Sequence, residues 1–482
     1  MSPGPNRRLA LAVLCTADVI VTLDAMVVSL ALPSIGRELG FSDAGLQWVI
    51  TAYTLMLGSF LLLGGRLADA LGRRRTLLLG IGVFTAASLL GGLARAPAPL
   101  LAARALAGFG GALAIPAALA LIAAVFPTGT ERERALGWLS LAIDVGAVAG
   151  AVLGGLVVSA LGWPWAFFLI VPFGLATLAA APRAIDESRP RRPGQGLDVA
   201  GALLAAAGLA MLIVALSRAE VDGLVASATL AAFAAALALL AGLAVVERRA
   251  AAPLLSPALL RRRRALAACL TVVANAGAFS GLLVISTLYM QRVLGFSALE
   301  AGLGLVPLAV SAGVGGPLAA PLLARHGVRR VVLASLLVTA AGLGALALTV
   351  RLASYAAALL PVFAVTGLTF ATAAVPLTAE AVAGADESEQ GAAAGLFQTF
   401  THVGGGAVVL AVLVISAAAR ADAVRHGGAS ETAALICGYR LAFLLAAALL
   451  VGGAATVAAL LSRPRPARPC PAGARARAGR RR

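Results

Sequence analysis

Four charged side chains sit inside long apolar stretches of this chain: Asp18, Asp24, Arg104 and Asp144. An ionisable group at the centre of a membrane-spanning helix costs about 2.5–3.5 kcal/mol on insertion scales, and such groups usually face a cavity, pair with one another or carry protons. Burial disfavours the ionised form of a carboxylic acid, so a buried carboxyl group suits proton uptake near neutral pH. Asp24 is the first candidate for proton or cation binding; a hydrogen-bonded structural role is the alternative. Asp18 lies six residues earlier, about 240° round an ideal helix of 3.6 residues per turn, so the two acids do not share a face. Arg104 cannot shed its charge and needs an acidic or carbonyl partner, unless it snorkels to the helix end. Asp144 is a further buried acid, open to pairing with Arg104, to contact with a cation or to a structural hydrogen bond.

Other chemistries lack their residues. The three histidines, His326, His402 and His426, form no ligand-spaced pair. Cys15, Cys269, Cys437 and Cys470 show no CxxC or paired spacing and read as packing residues. No Gly-x-x-x-x-Gly-Lys loop occurs, which argues against ATP-driven pumping. The expectation is therefore a protein that is not an enzyme and has no cofactor and no metal. The net charge of +17 does not imply nucleic acid as a partner, because all 38 basic residues are arginines and most lie in short runs between apolar segments.

Those apolar segments are the elements that must position the charges. Hydrophobic residues make up 61% of the 482 and charged residues only 12%, against roughly 45–50% and about 25% in soluble domains. Runs of about 20 apolar residues match a hydrocarbon core of about 30 Å, where backbone polar groups are satisfied only within helices or closed barrels. Fourteen helices are predicted, near 9–33, 46–65, 76–94, 99–125, 136–160, 164–182, 199–217, 225–246, 266–290, 299–323, 330–350, 355–378, 391–418 and 438–461. The first follows Arg7 and Arg8 without a small-residue cleavage site and reads as a span, not a signal peptide. With both termini on the cytoplasmic side, inner segments hold 29 arginines and outer ones 7, as the positive-inside rule requires. The inner runs include Arg73–Arg75, Arg189–Arg192 and Arg261–Arg264, and the Pro- and Arg-rich tail reads as a strip near anionic lipid. Residues 379–390 dissent, with Glu380, Asp386, Glu387 and Glu389 and no arginine, but acids contribute little to the rule.

A repeat is visible in two loops. GRLADALGRRR, Gly65 to Arg75, follows the second predicted helix, and a weaker echo, LLARHGVRR, Leu322 to Arg330, follows the tenth. An offset of eight helices fits two six-helix halves separated by two extra helices, and such repeats place a substrate site at their interface near mid-membrane. The expected fold is all-α and integral to the membrane: a six-helix bundle over 1–185, two inserted helices over 186–264, a second six-helix bundle over 265–462 in pseudo-symmetric arrangement, and a cytoplasmic tail over 463–482. The inserted pair is almost devoid of polar residues and reads as a lipid-facing addition.

With these residues in view, the chain resembles the major facilitator superfamily, in its fourteen-span drug/proton antiporter branch, over about residues 9–461. GRLADALGRRR is similar to the family's loop signature. Gly65 and Gly72 allow a tight turn, and Asp69 is suited to a helix N-terminus; the resemblance implies a gating latch of Gly65, Asp69, Gly72 and Arg73. LDAMVVSLALPSI, Leu23 to Ile35, resembles the branch signature around Asp24. RALAGFGGAL, Arg104 to Leu113, is similar to the motif in which a buried arginine tunes a carboxylate during proton transfer. GAVAGAVLGG, Gly146 to Gly155, resembles the antiporter motif but has Ala151 where that motif has Pro; Gly146, Gly150, Gly154 and Gly155 still permit close helix packing. QWVITAYTL and YMQRVLGFSALEAGLGLVP match the branch as well, whereas WPWAFFLIVP departs from it at Pro164 and Ile170.

The resemblance implies a secondary active transporter in the inner (plasma) membrane that exports small amphipathic organic compounds in exchange for protons. A proton-coupled solute symporter on the same fold is the alternative. Implied partners are a small-molecule substrate, protons and the bilayer, with a monomer as the default. Asn275, Tyr289, Gln398 and His402 are the remaining polar residues that could line the cavity.

Overall fold

The computed structural model describes residues 7–41, 43–126, 129–187, 198–221, 223–249, 262–383, 385 and 389–460. The arginines at 189–192, Arg261, Asp386, Glu387 and the tail lie outside the described residues. Every regular element among those described is helical. The first half comprises α1 (Arg7–Leu39), α2 (Asp43–Leu71), α3 (Arg73–Gly92), α4 (Pro97–Val125), α5 (Thr130–Leu161), α6 (Pro164–Phe168) and α7 (Ile170–Ala184). Two helices follow, α8 (Val199–Val221) and α9 (Ser227–Glu247). The second half contains α10 (Arg263–Arg292), α11 (Ala298–Gly304), α12 (Val306–His326), α13 (Val328–Thr349), α14 (Leu360–Val382), α15 (Gln390–Thr399), α16 (Leu410–His426) and α17 (Glu431–Leu460).

Thirteen helical segments among the described residues are long and apolar enough to cross a membrane. The remaining expected span, near 136–160, falls on α5, a 32-residue helix that is not among the thirteen. Many outward side chains are large and apolar, including Leu156, Leu203, Leu237 and Leu348, as expected where lipid is the solvent.

The sixth span runs on through α6 and α7, with Leu169 itself helical and its N–H donating to the Trp165 carbonyl. Two other spans change their winding. The tenth tightens at Leu305, between α11 and α12, where the Leu305 N–H donates to the Gly302 carbonyl. A capping box, Ser297 with Glu300, starts α11. The thirteenth passes from α15 into a ten-residue π-helical stretch, Phe400–Val409, before α16.

Within the first half, α4 packs on α2 and α3, and α1 on α5; within the second, α12 packs on α14, and α17 on α10 and α13. The halves meet where α5 crosses α12 and where α15 lies against α2 and α4. Gly72 and Gly327 hold positive φ, 103° and 76°, and each is the whole connection between two helices, α2 to α3 and α12 to α13.

The inserted pair is less uniform than its composition suggests. α9 packs on α8, whereas α8 lies on α2 and also on the π-helical stretch and α16. A Cβ added at Gly58 of α2 would meet Ile213 of α8 at 2.9 Å and Val403 of the π stretch at 3.0 Å. The sequence reading of the pair as lipid-facing therefore needs correction for α8, which straps the seam between the halves, whereas α9 keeps large apolar side chains such as Leu237 outward. The apolar sequence of α8 looked lipid-like because a helix wedged between apolar helices needs no polar face.

Candidate functional site

The fourth helix sets the site. Gly108 lies directly against the Tyr53 carbonyl of α2, a contact any side chain would block. Arg104 is one turn earlier and so shares that face. Its side chain reaches over α2: Nε donates to the Val49 carbonyl at 3.0 Å, and the guanidinium lies 4.4 Å from the Tyr53 ring centroid and 6.0 Å from that of Phe167. Nη1 donates to Asp24 Oδ2 of α1 at 2.7 Å. Both side chains are buried, 2% and 0% exposed. Asp24 Oδ1 has no hydrogen-bond partner among the described residues. The site is thus a desolvated ion pair that stacks on an aromatic face and leaves one carboxylate oxygen unused.

Asp24 is delivered to this point by a parallel ladder between α1 and α5. Gly146 meets Val19 at 3.0 Å, Gly150 meets Met26 Cβ at 3.0 Å and Leu23 Cα at 3.2 Å, and Gly154 meets Val27 at 2.8 Å, each measured from an added Cβ. Gly155 has nothing within 4 Å, so the helix contact rests on three of the four glycines grouped from the sequence. Arg104, for which the sequence offered Asp144 as a possible partner, takes Asp24. The Asp144 side chain lies outside the described residues. Asp18 is buried and its Oδ1 is unpartnered among the described residues.

A second constellation lies at the end of the bundle where α2 turns into α3. Asp69 Oδ1 accepts from the Gly391 N–H and Oδ2 from the Ala392 N–H, each at 2.8 Å. These are first-turn amides of α15, where the helix dipole favours an anion. Arg73 Nη2 is 3.9 Å from Asp69 Oδ1. Gly65 and Gly391 face each other so closely that a Cβ on either would overlap the other's carbonyl oxygen. Asp69 and Gly65 thus clamp the first half to the second, while Gly72 supplies the turn.

Of the other polar candidates, Tyr289 donates to the Val350 carbonyl at 2.9 Å and caps the end of α13. Asn275 is buried with both side-chain ends unpartnered among the described residues. His402 lies on the π stretch with its ring exposed, and Gln398 is half-buried one turn before it. Val49, Tyr53, Gly391 and Ala392 have no role that their residue types announce in the sequence. Three of them, Val49, Gly391 and Ala392, act through backbone groups, which carry no side-chain signal, although QWVITAYTL already marked the stretch of α2 that holds Val49 and Tyr53.

The sequence model of the Major Facilitator Superfamily matches residues 14–409 and, in a second match, 268–481. The chain belongs to the Major Facilitator Superfamily. This transporter is 37% identical over 458 residues to the puromycin resistance protein pur8 of Streptomyces alboniger, covering 93% of this chain and 90% of that protein. It is 38% identical over 412 residues to the cephamycin export protein CmcT of Amycolatopsis lactamdurans, covering 84% of each. With the tetracenomycin C resistance and export protein of Streptomyces glaucescens it shares 34% over 399 residues, covering 82% of this chain and 74% of that one. The crystal structure of the human organic anion transporter MFSD10 superposes with a TM-score of 0.68 at 16% identity, covering 94% of this transporter and all of that chain; the likeness is one of fold.

Proposed function

We propose that this transporter exports small amphipathic organic compounds in exchange for protons, with Asp24 as the proton carrier. The observation that carries the reading is the Asp24–Arg104 pair, buried at 2.7 Å with Oδ1 unpartnered. A proton arriving at Oδ1 neutralises Asp24 and removes the attraction that holds α1 to α4. Arg104 then keeps the Val49 carbonyl and the rings of Tyr53 and Phe167 as partners, so the positions of α1 and α4 respond to protonation. An inward proton gradient supplies about 2.3 kcal/mol per charge per 100 mV, enough to bias such a step.

The direction, outward, is supported by relatives named for resistance and export. With both termini cytoplasmic, the Asp69 clamp and the α5–α12 contact close the cytoplasmic side. The conformation is then outward-facing, ready to release substrate and take up protons from outside. Two six-helix bundles rocking about the fixed site, fourteen spans in all, complete the cycle as a monomer in the plasma membrane.

The test uses inside-out vesicles holding a pH-sensitive dye, with puromycin and tetracenomycin C as probes. Collapse of the established proton gradient on adding a probe, absent in Asp24→Asn, is the expected result. Probe uptake into the vesicles that leaves the gradient intact would refute exchange with protons.

A further inference from the structure

The π-helical stretch of the thirteenth span, Phe400–Val409, has no part in the ion pair or the clamp. On one side it is wedged against α10: an added Cβ at Gly404 would lie 2.8 Å from Val273, and one at Gly405 2.8 Å from Ala276. On another side Val403 touches Gly58 of α2, at the seam between the halves. A π-helix turns through about 80° per residue, against about 100° in an α-helix, because each bond spans one residue more. His402 therefore points about 155° away from the α10 face, where α-helical winding would leave it only about 110° away. The wider winding swings the imidazole out of the helix–helix contact and toward the space between the halves, next to α2.

The surroundings of the ring agree. Gly391 and Gly395, on the same face of this span, press on Gly65 and Leu61 of α2, and His402 is exposed where that face continues. Neither ring nitrogen has a hydrogen-bond partner among the described residues. Gln398, four residues earlier across the join of α and π winding, is rotated by about 360° from His402, so both lie on one line about one helical turn, 5.4 Å, apart. Its amide likewise has no partner among the described residues. A neutral imidazole and a primary amide each present a donor and an acceptor and no net charge. Asp24, the acid of the central site, is already balanced by Arg104.

We infer that Gln398 and His402 form a substrate-binding subsite on the second half, made for a neutral amphipathic compound with two hydrogen-bonding groups about one helical turn apart, and not for a permanent cation. The inference rests on the transporter reading but not on proton exchange. A compound held there is bound to the second half, across the seam from the Asp24–Arg104 pair in the first, so binding and proton uptake use different residues.

Two measurements on the full-length protein in lipid nanodiscs test it, with a dihydroxyanthraquinone as the neutral probe and tetraphenylphosphonium as a cation with no hydrogen-bonding group. In the first, diethyl pyrocarbonate modification is followed by mass spectrometry at His402, with His326 and His426 as internal exposed references. His402 should react, and the anthraquinone should slow its reaction at least fivefold while leaving both references unchanged; the cation should not protect it. In the second, His402→Ala should weaken anthraquinone binding about tenfold, the size of one hydrogen bond in a desolvated site, with His402→Gln retaining most of the affinity and Gln398→Ala losing a similar factor. Three results would overturn the inference: an unreactive His402, equal loss for both probes in His402→Ala, or a wild type that fails to bind the anthraquinone. Proton exchange is read separately in vesicles, so its failure leaves the binding result standing.

Discussion

Arg104 and Asp24, 80 positions apart in sequence, meet through one hydrogen bond of 2.7 Å that uses a single carboxylate oxygen. A bidentate pair would have saturated the acid. This one leaves Oδ1 available, while the arginine's remaining contacts are a carbonyl and an aromatic face, neither of which titrates. The proton-sensitive component of the site is therefore Asp24 alone.

Removing either partner should have unequal effects. Arg104→Ala leaves an uncompensated buried carboxylate and should cost about 3–5 kcal/mol of stability, unless Asp24 takes up a proton. Asp24→Asn keeps an acceptor for Arg104 and should fold, while losing proton-dependent transport at least tenfold. Thermal unfolding of the purified protein, paired with vesicle transport, separates the two. Similar stability losses in both variants would contradict this assignment.

Tyr53 holds the guanidinium by its face, and its hydroxyl takes no part in that contact. Tyr53→Phe should therefore transport at near wild-type rates. Tyr53→Leu should lose the cation–π contribution, about 0.5–2 kcal/mol, and should lower transport severalfold. Initial rates of probe uptake into vesicles check both; a Phe variant as impaired as the Leu variant would point to the hydroxyl instead.

The clamp makes a distance prediction. Asp69→Asn cannot accept from two amides as the carboxylate does, so the closed end should open more often. Spin labels at Arg75 and Arg330, one on each half at that end, should report a longer-distance population in the variant than in the wild type. Gly391→Val, which drives a side chain into Gly65, should open it further. An unchanged distance distribution in both variants would remove the clamp from the gating scheme.

The α1–α5 ladder predicts a contrast within one motif. Gly150→Val pushes methyl groups into Leu23 and Met26 and should destabilise by about 1–3 kcal/mol, the usual cost of overpacking. Gly155→Val meets open space and should stay within about 0.5 kcal/mol of wild type. Thermal unfolding midpoints in the same lipid environment decide it.

Much of this architecture was legible because a bilayer restricts it. The helices follow from apolar runs, and the loop from Gly65 to Arg75 and its echo from Leu322 to Arg330 stood out as a repeat; in the structure Gly72 and Gly327 hold the same kind of one-residue turn within them. Asp24 and Arg104 were conspicuous as charges where charge is costly, and Asp69 through its loop signature. That Arg104 would pair with Asp24 was not legible, because the sequence does not say which acid α1 and α4 bring together until they are placed in space. The tightening at Leu305 and the π winding after Thr399 were hidden as well. They change hydrogen-bond register without changing hydropathy, and the run Gly404–Gly406 was their only local trace.

The placement of α8 gives the molecule unequal flanks. On one side the meeting of α2 with the thirteenth span is backed by an extra helix, with Ile213 pressed into the junction at Gly58. On the other, α5 crosses α12 through small residues, Gly137 and Ser140 against Gly316. Parting α5 from α12 separates small side chains alone, whereas parting α2 from the thirteenth span must also carry α8, so the two seams differ in what has to move.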